Sequence, residues 1–259
     1  MDLHLKDKVI VVSGGAKGIG AAITQTLANE GAVPVIIGRS EEDNKTFANE
    51  IIAGGGKAGY VTAELTQPEN CKAAIETIIA QYGRIDGLVN NAGVNDGIGL
   101  ENGSYDGFMA SLHKNVVHYY LLAQHALPEL KKSKGSIVNI GSKTAETGQG
   151  DTSGYAAANG ARNALTREWA VELLPYSIRV NAVIVAEAWT PLYETWINTF
   201  DNPQQKLYAI TAKIPLEKRM TKTAEIADMV AFLLSERSAH TTGQLIHVDG
   251  GYVHLDRAL

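Results

Sequence analysis

Seven short apolar runs recur along the chain, separated by longer stretches with helical periodicity. The runs fall at residues 9–12, 33–37, 58–63, 85–89, 136–140, 178–183 and 244–248. The first, Val9, Ile10, Val11 and Val12, is continuous rather than alternating, which suits a parallel strand covered on both faces. Helices are predicted at 21–30, 41–53, 68–82, 105–130, 155–174 and 223–234. Punctuation supports several of these boundaries. Gly54, Gly55 and Gly56 suit a C-terminal cap, Pro68 a first helical position, and Pro175 a stop. Pro128 and Gly135 are expected to close the long helix before the strand that leads to Ser142. Strands alternating with helices predict one doubly wound α/β domain over residues 1–259, with a parallel sheet.

Composition narrows the function classes. A net charge of −5, with no block of basic residues, argues against nucleic-acid binding. No run approaches the roughly 20 apolar residues that cross a bilayer, so no membrane partner is expected. The N-terminus is charged and enters a strand directly, without the pattern of a signal peptide, and a cytoplasmic location is expected. The single cysteine, Cys71, excludes an intrachain disulfide and a cysteine-clustered metal site, and the scattered histidines suggest no metal.

Two stretches carry candidate chemistry. The first apolar run is followed at once by Ser13, Gly14, Gly15, Ala16, Lys17, Gly18, Ile19 and Gly20, and then by a helical pattern. Glycines there let the backbone turn tightly and approach a diphosphate, while a helix N-terminus offers free N–H groups and positive dipole. At the end of the second strand the chain offers Arg39 and Ser40 and no acid at 37–40. With Lys17 they favour a ribose 2′-phosphate, hence NADP over NAD, with NAD still usable. The second stretch runs from Ser142, at a strand end, to Tyr155, at the head of an alanine-rich helix, so that a hydroxyl and a phenol can converge on one oxygen. A phenol has an ordinary pKa of about 10, so acid–base work near neutrality needs a nearby cation. One turn beyond Tyr155 is the natural place for a lysine, and Asn159 stands there.

These motifs resemble those of the short-chain dehydrogenase/reductase family. The resemblance rests on the spacing of Gly14, Gly18 and Gly20, on Asn90-Asn91-Ala92-Gly93, on Ser142 with Tyr155, on Arg179-Val180-Asn181 and on Val248-Asp249-Gly250-Gly251. It implies a Rossmann-type sheet of order 3-2-1-4-5-6-7 and hydride transfer between a nicotinamide and a carbinol carbon. Tyr155 would move the hydroxyl proton, Ser142 hold the oxygen, and Asn115 support a relay towards the residue at 159. Glu64 and Leu65 would lie at the adenine, Asn91, Ala92 and Gly93 along the cofactor, and Thr190 at the carboxamide. A homo-oligomer, tetramer or dimer, is also implied.

The segment 185–194 resembles the L-fucose (6-deoxy-aldose) dehydrogenase branch, implying oxidation of an aldose C1 hydroxyl to a lactone. Glu187, Trp189 and Trp196 would then meet the sugar from a lid at about 187–214; the aromatic stripe there equally suits packing onto the body. A ketone or 3-oxoacyl reductase is the alternative within the family, and a non-catalytic NADP(H) sensor the alternative outside catalysis. The usual lysine would bond the nicotinamide-ribose hydroxyls and supply a cation beneath the phenol; Asn159 could keep a ribose bond but lacks the charge. Bringing a phenol from about 10 towards 7 corresponds to roughly 4 kcal/mol, or about a thousandfold in rate, so an impaired enzyme is expected.

Overall fold

Each apolar run is a strand in the computed structural model, which describes residues 1–255. The strands are β1 (Val9–Ser13), β2 (Val33–Gly38), β3 (Gly59–Thr62), β4 (Gly87–Asn90), β5 (Ser136–Ser142), β6 (Arg179–Val185) and β7 (Leu245–Val248). All pairings are parallel, in the order β3-β2-β1-β4-β5-β6-β7. Between them lie α1 (Gly18–Asn29), α2 (Glu41–Ala53), α3 (Pro68–Tyr82), α4 (Tyr105–Leu112), α5 (His118–Ser133), α6 (Ser153–Glu172), α7 (Pro191–Ile197), α8 (Pro203–Thr211) and α9 (Thr223–Leu234).

The continuous apolar character of β1 follows from its double burial. Val9 and Val11 pack among Ile75, Ile78, Leu122 and Trp169 on the side of α3, α5 and α6. Ile10 and Val12 pack among Ile23, Leu27, Ile226 and Val230 on the side of α1 and α9. Successive side chains point to opposite faces, and both faces are covered. Cys71 belongs to the first of these cores, where its thiol donates to the Leu65 carbonyl at 3.4 Å and burial pushes its pKa up to about 11. Among the described residues no helix is long and apolar enough to cross a membrane.

Three elements depart from the sequence reading. α1 begins at Gly18, so the last two glycines of the turn are already its first turn. Pro128 lies inside α5, which runs on to Ser133 and stops at Lys134, whose left-handed backbone (φ 52°, ψ 48°) forms the cap. The buried face of Leu122, Ala126 and Leu130 carries the helix across the proline. The predicted 105–130 helix also contains a π turn, His113–Val117, joining α4 to α5.

Parallel order gives the sheet two unlike edges. At the N-terminal ends of the strands the chain enters through tight turns with positive φ at Gly83, Lys134 and Ser177. At the C-terminal ends the loops open around one cleft.

Candidate active site

The cleft has a volume of about 880 Å³ and is bordered by the segments that follow β1, β2, β3, β4, β5 and β6. Its floor at one end is the glycine turn. Gly14 adopts φ +65° and donates its N–H to Ile37 at 2.7 Å. A Cβ on Gly20 would fall 2.1 Å from the Gly14 carbonyl oxygen, so no other residue fits without moving the backbone. Thr24 Oγ1 lies 2.9 Å from the carbonyl oxygens of both Gly15 and Gly20, fixing the turn on its helix. No side chain caps the start of α1, so its first N–H groups stay available at the mouth of the cleft, as a diphosphate requires. Lys17, Gly18 and Ile19 line this end, and Ala16 is in the turn but off the wall.

Arg39, Glu64 and Leu65 line the far end, and Ser40 does not. Ser40 instead caps α2, its Oγ accepting from the Asp43 N–H at 3.2 Å. Although residues 37–40 hold no acid, two carboxylates reach the cations from farther along the chain. Asp43 pairs with Lys17 at 2.6 Å, and Glu64 lies 3.8 Å from Arg39. The Lys17 contact holds the Asp43 carboxyl below its usual range. Glu64 Oε1 also accepts from the Thr66 N–H and hydroxyl, at 3.1 and 3.0 Å.

At the middle of the cleft, Asn91 joins the end of β4 to the glycine turn, donating from Nδ2 to the Ser13 carbonyl at 2.9 Å. Ala92 and Gly93 continue the wall. Ser142, the last residue of β5, and Tyr155, in the first turn of α6, both line the cleft. The Ser142 hydroxyl oxygen stands 3.1 Å from Thr144 Oγ1 and accepts from the Thr144 N–H at 3.3 Å.

Asn115 and Asn159 lie beneath this wall, fully buried. Asn115 sits in the π turn, its Oδ1 accepting from the Val94 N–H at 2.8 Å and its Nδ2 donating to the Ser111 carbonyl at 3.0 Å. π turns inside helices concentrate at functional sites. Asn159 donates from Nδ2 to the Tyr155 carbonyl at 2.9 Å, and its Oδ1 accepts from Arg162 Nη1 at 3.0 Å.

Arg162 was not singled out by the motif reading, yet it lies on the cleft wall at 3% exposure. Its Nε donates to the Asn115 carbonyl at 2.7 Å and its Nη1 to the Ile140 carbonyl at 3.1 Å. The guanidinium carbon stands 4.3 Å from the centroid of Tyr119 and 6.0 Å from that of Tyr155. Nη2 is buried without a hydrogen-bond partner. It was detectable in principle, because Tyr155 and Arg162 are seven residues apart and share one helical face. His118 is a second unread residue of the wall. Its Nε2 donates to the Lys114 carbonyl at 2.9 Å, and burial pushes its pKa down to about 4.

Beyond Ser142 the lining turns aromatic and polar. Thr190 caps α7, its Oγ1 accepting from the Tyr193 N–H at 3.1 Å, and its methyl faces Gly18 across the cleft. Glu187 does not line the cleft. It forms a buried ion pair with Lys143, the residue after Ser142, and accepts from the Tyr193 hydroxyl at 2.9 Å. Burial and the Glu187 charge push the Tyr193 phenol well above its usual value, so it stays a donor. The Lys143 ammonium also lies 4.1 Å from the Tyr252 ring centroid. Trp189 and Trp196 are off the wall as well. They belong to an aromatic ladder with Tyr193 and Phe200, at centroid spacings of 6.2, 5.1 and 5.0 Å. The ladder member that faces the cleft is Tyr193.

Comparison with known proteins follows the same outline. The family model described as enoyl-(acyl carrier protein) reductase matches residues 14–253. The chain is 33% identical over 245 residues to L-fucose dehydrogenase of Rattus norvegicus, covering 94% of this chain and 88% of that protein. It is equally 33% identical, over 252 residues, to the 3-oxoacyl-acyl-carrier-protein reductase FabG of Thermotoga maritima, covering 97% of this chain and all of the other. Among solved structures, the crystal structure of Cj0485 dehydrogenase superposes with a TM-score of 0.95 at 44% identity, covering 100% of this chain and 99% of that one. The ligand-free aldohexose dehydrogenase of Thermoplasma acidophilum gives 0.89 at 29% identity, with the same coverage.

Proposed function

The chain belongs to the short-chain dehydrogenase/reductase family of oxidoreductases, and on that premise we propose that it oxidises the C1 hydroxyl of an aldose such as L-fucose to the lactone. The observation that carries this reading is the opening of Ser142 and Tyr155 onto the same cleft as the uncapped, glycine-lined start of α1. The residues fit a dinucleotide, since the Gly14–Gly20 approach leaves no room for a Cβ and the first N–H groups of α1 have no side-chain cap. NAD or NADP, when bound, supplies the hydride acceptor.

The residues of the chain divide the remaining work. The α1 N-terminus holds the diphosphate. Arg39 and Lys17 favour NADP, with NAD also accepted. Glu64 and Leu65 border the adenosine end, Asn91 to Gly93 the middle, and Thr190 the nicotinamide end. Ser142 donates to the C1 oxygen and holds it. Tyr155, as phenolate, takes the C1 hydroxyl proton as the C–H bond breaks, leaving a carbonyl at C1, the lactone. Asn115 orders the carbonyl behind this wall. Residues 187–214 act as a lid, with Tyr193 offering its ring face, Trp189 and Trp196 packing behind it, and the Lys143–Glu187 pair setting a polar boundary. The protein works in the cytoplasm as a homo-oligomer, dimer or tetramer.

The sugar assignment draws support from the 185–194 segment and from the likeness to L-fucose and aldohexose dehydrogenases. The equal identity to a 3-oxoacyl reductase favours, as the second reading, reduction of a ketone. An aldose panel assayed with NAD and NADP, beside 3-oxoacyl thioesters with NADPH, separates them. Lactone formation from L-fucose is the expected result. Thioester reduction without sugar oxidation would replace it with the second reading, and dinucleotide binding without turnover of either would leave a sensor.

A further inference from the structure

We propose that Arg162 is the fixed cation of this active site, its partnerless Nη2 aimed at a hydroxyl of the bound dinucleotide and its charge sustaining the Tyr155 phenolate. The proposal rests on the dehydrogenase reading above for its rate effect, and on the cleft alone for its binding effect.

A buried guanidinium is costly unless its surroundings answer it. Among the described residues no carboxylate lies within 4 Å of Arg162, and it is held by carbonyl oxygens, an amide oxygen and the face of Tyr119. Three of its five N–H groups, one on Nε and two on Nη1, have protein acceptors, and the two on Nη2 have none. Nη2 stands beside Gly93, where a Cβ would come within 2.7 Å of it, so a glycine at that point of the wall is what leaves the guanidinium room. A cation held rigidly at the wall of a cleft, with an unanswered donor pair, is positioned for an oxygen that the protein does not supply.

Asn159 is then a partner rather than a gap. Its Oδ1 accepts from Arg162 Nη1, a role that lysine, which has only donors, cannot fill. A lysine at 159 beside Arg162 would set two positive charges together at a site shielded from water. The Asn115 carbonyl, expected to reach position 159 through a relay, is instead bonded directly by Arg162 Nε at 2.7 Å. The rate penalty expected from Asn159 assumed that no other cation was present, and Arg162 supplies one, from two turns along α6 rather than one.

The test compares Arg162→Gln, Asn159→Lys, and the double variant carrying both, by NADPH and NADH fluorescence titration and by aldose turnover. Arg162→Gln is expected to weaken dinucleotide binding about tenfold and to lower turnover by about 10²–10³. The double variant, with its single cation moved to 159, is expected to recover most of both losses, which a merely structural arginine would not allow. Asn159→Lys alone is expected to gain nothing. A folded Arg162→Gln protein with both quantities within threefold of the parent would overturn the proposal. So would a thousandfold gain in Asn159→Lys over a near-silent parent, and that variant decides the matter if both glutamine variants fail to fold. If no form turns over any aldose, the sugar reading fails, while the titrations still decide the role of Arg162.

Discussion

His118 shows how strongly this interior selects a protonation state. Burial is the main cause of its low pKa, about 4, and the nearby Arg162 charge adds to it. The Lys114 carbonyl and the Glu64 charge oppose it. The folded value lies below the unfolded value of about 6.5, so the unfolded chain binds the extra proton between them. Stability is therefore complete above about pH 6.5 and is lost as pH falls towards 4. The loss between pH 7 and 5 is about 2 kcal/mol from this group. Urea unfolding at the two pH values should show it, and His118→Gln should flatten that slope. Tyr155 makes a contrasting case, because only its hydroxyl is called upon. Tyr155→Phe should lower aldose turnover by about 10²–10⁴ while the melting temperature and the dinucleotide affinity stay at parent values. The places of Ser142 and Tyr155 on the cleft wall were legible because each follows a local signal, a strand end and a helix start. The commitment of Glu187 to Lys143 was not, since it joins positions 44 residues apart and no local pattern records it.

Element boundaries were legible wherever a cap marks them. α2, α3 and α9 begin and end at the residues the sequence suggests, with Ser40 capping α2, Pro68 opening α3 and Gly83, at φ 72°, closing it. The π turn at His113–Val117 left no such mark. It exists through tertiary bonds, as Asn115 clasps Val94 and Ser111 while its own carbonyl receives Arg162. Asn115→Ala should therefore do two things at once. It removes the acceptor of the part-buried Val94 N–H, costing about 0.5–1.5 kcal/mol in denaturant unfolding, and it loosens the seat of Arg162, so turnover should fall further than the stability loss explains. Gly20→Ala tests the opposite end of the cleft. The 2.1 Å clash with Gly14 should abolish measurable dinucleotide binding while circular dichroism keeps the spectrum of an α/β protein.

At the scale of the whole molecule, the strand order could be anticipated from the motifs, and the cleft follows from it, because a parallel sheet gathers every strand end at one edge. Ligand binding there should steady the entire fold. At a hundred times its dissociation constant a dinucleotide contributes about 2.7 kcal/mol, or roughly 5–10 °C in melting temperature for a chain of this size. NADP should give the larger shift at equal concentration, and Arg39→Ala should shrink the NADP shift while sparing that of NAD. The turns at Gly83, Lys134 and Ser177 occupy the other edge, and none of them borders the cleft. That division has a practical side. A cysteine or affinity handle grafted at Lys134 would moor the protein to an electrode or bead with its mouth facing the solution, and the native Cys71, sealed in the core, would not compete for the linker.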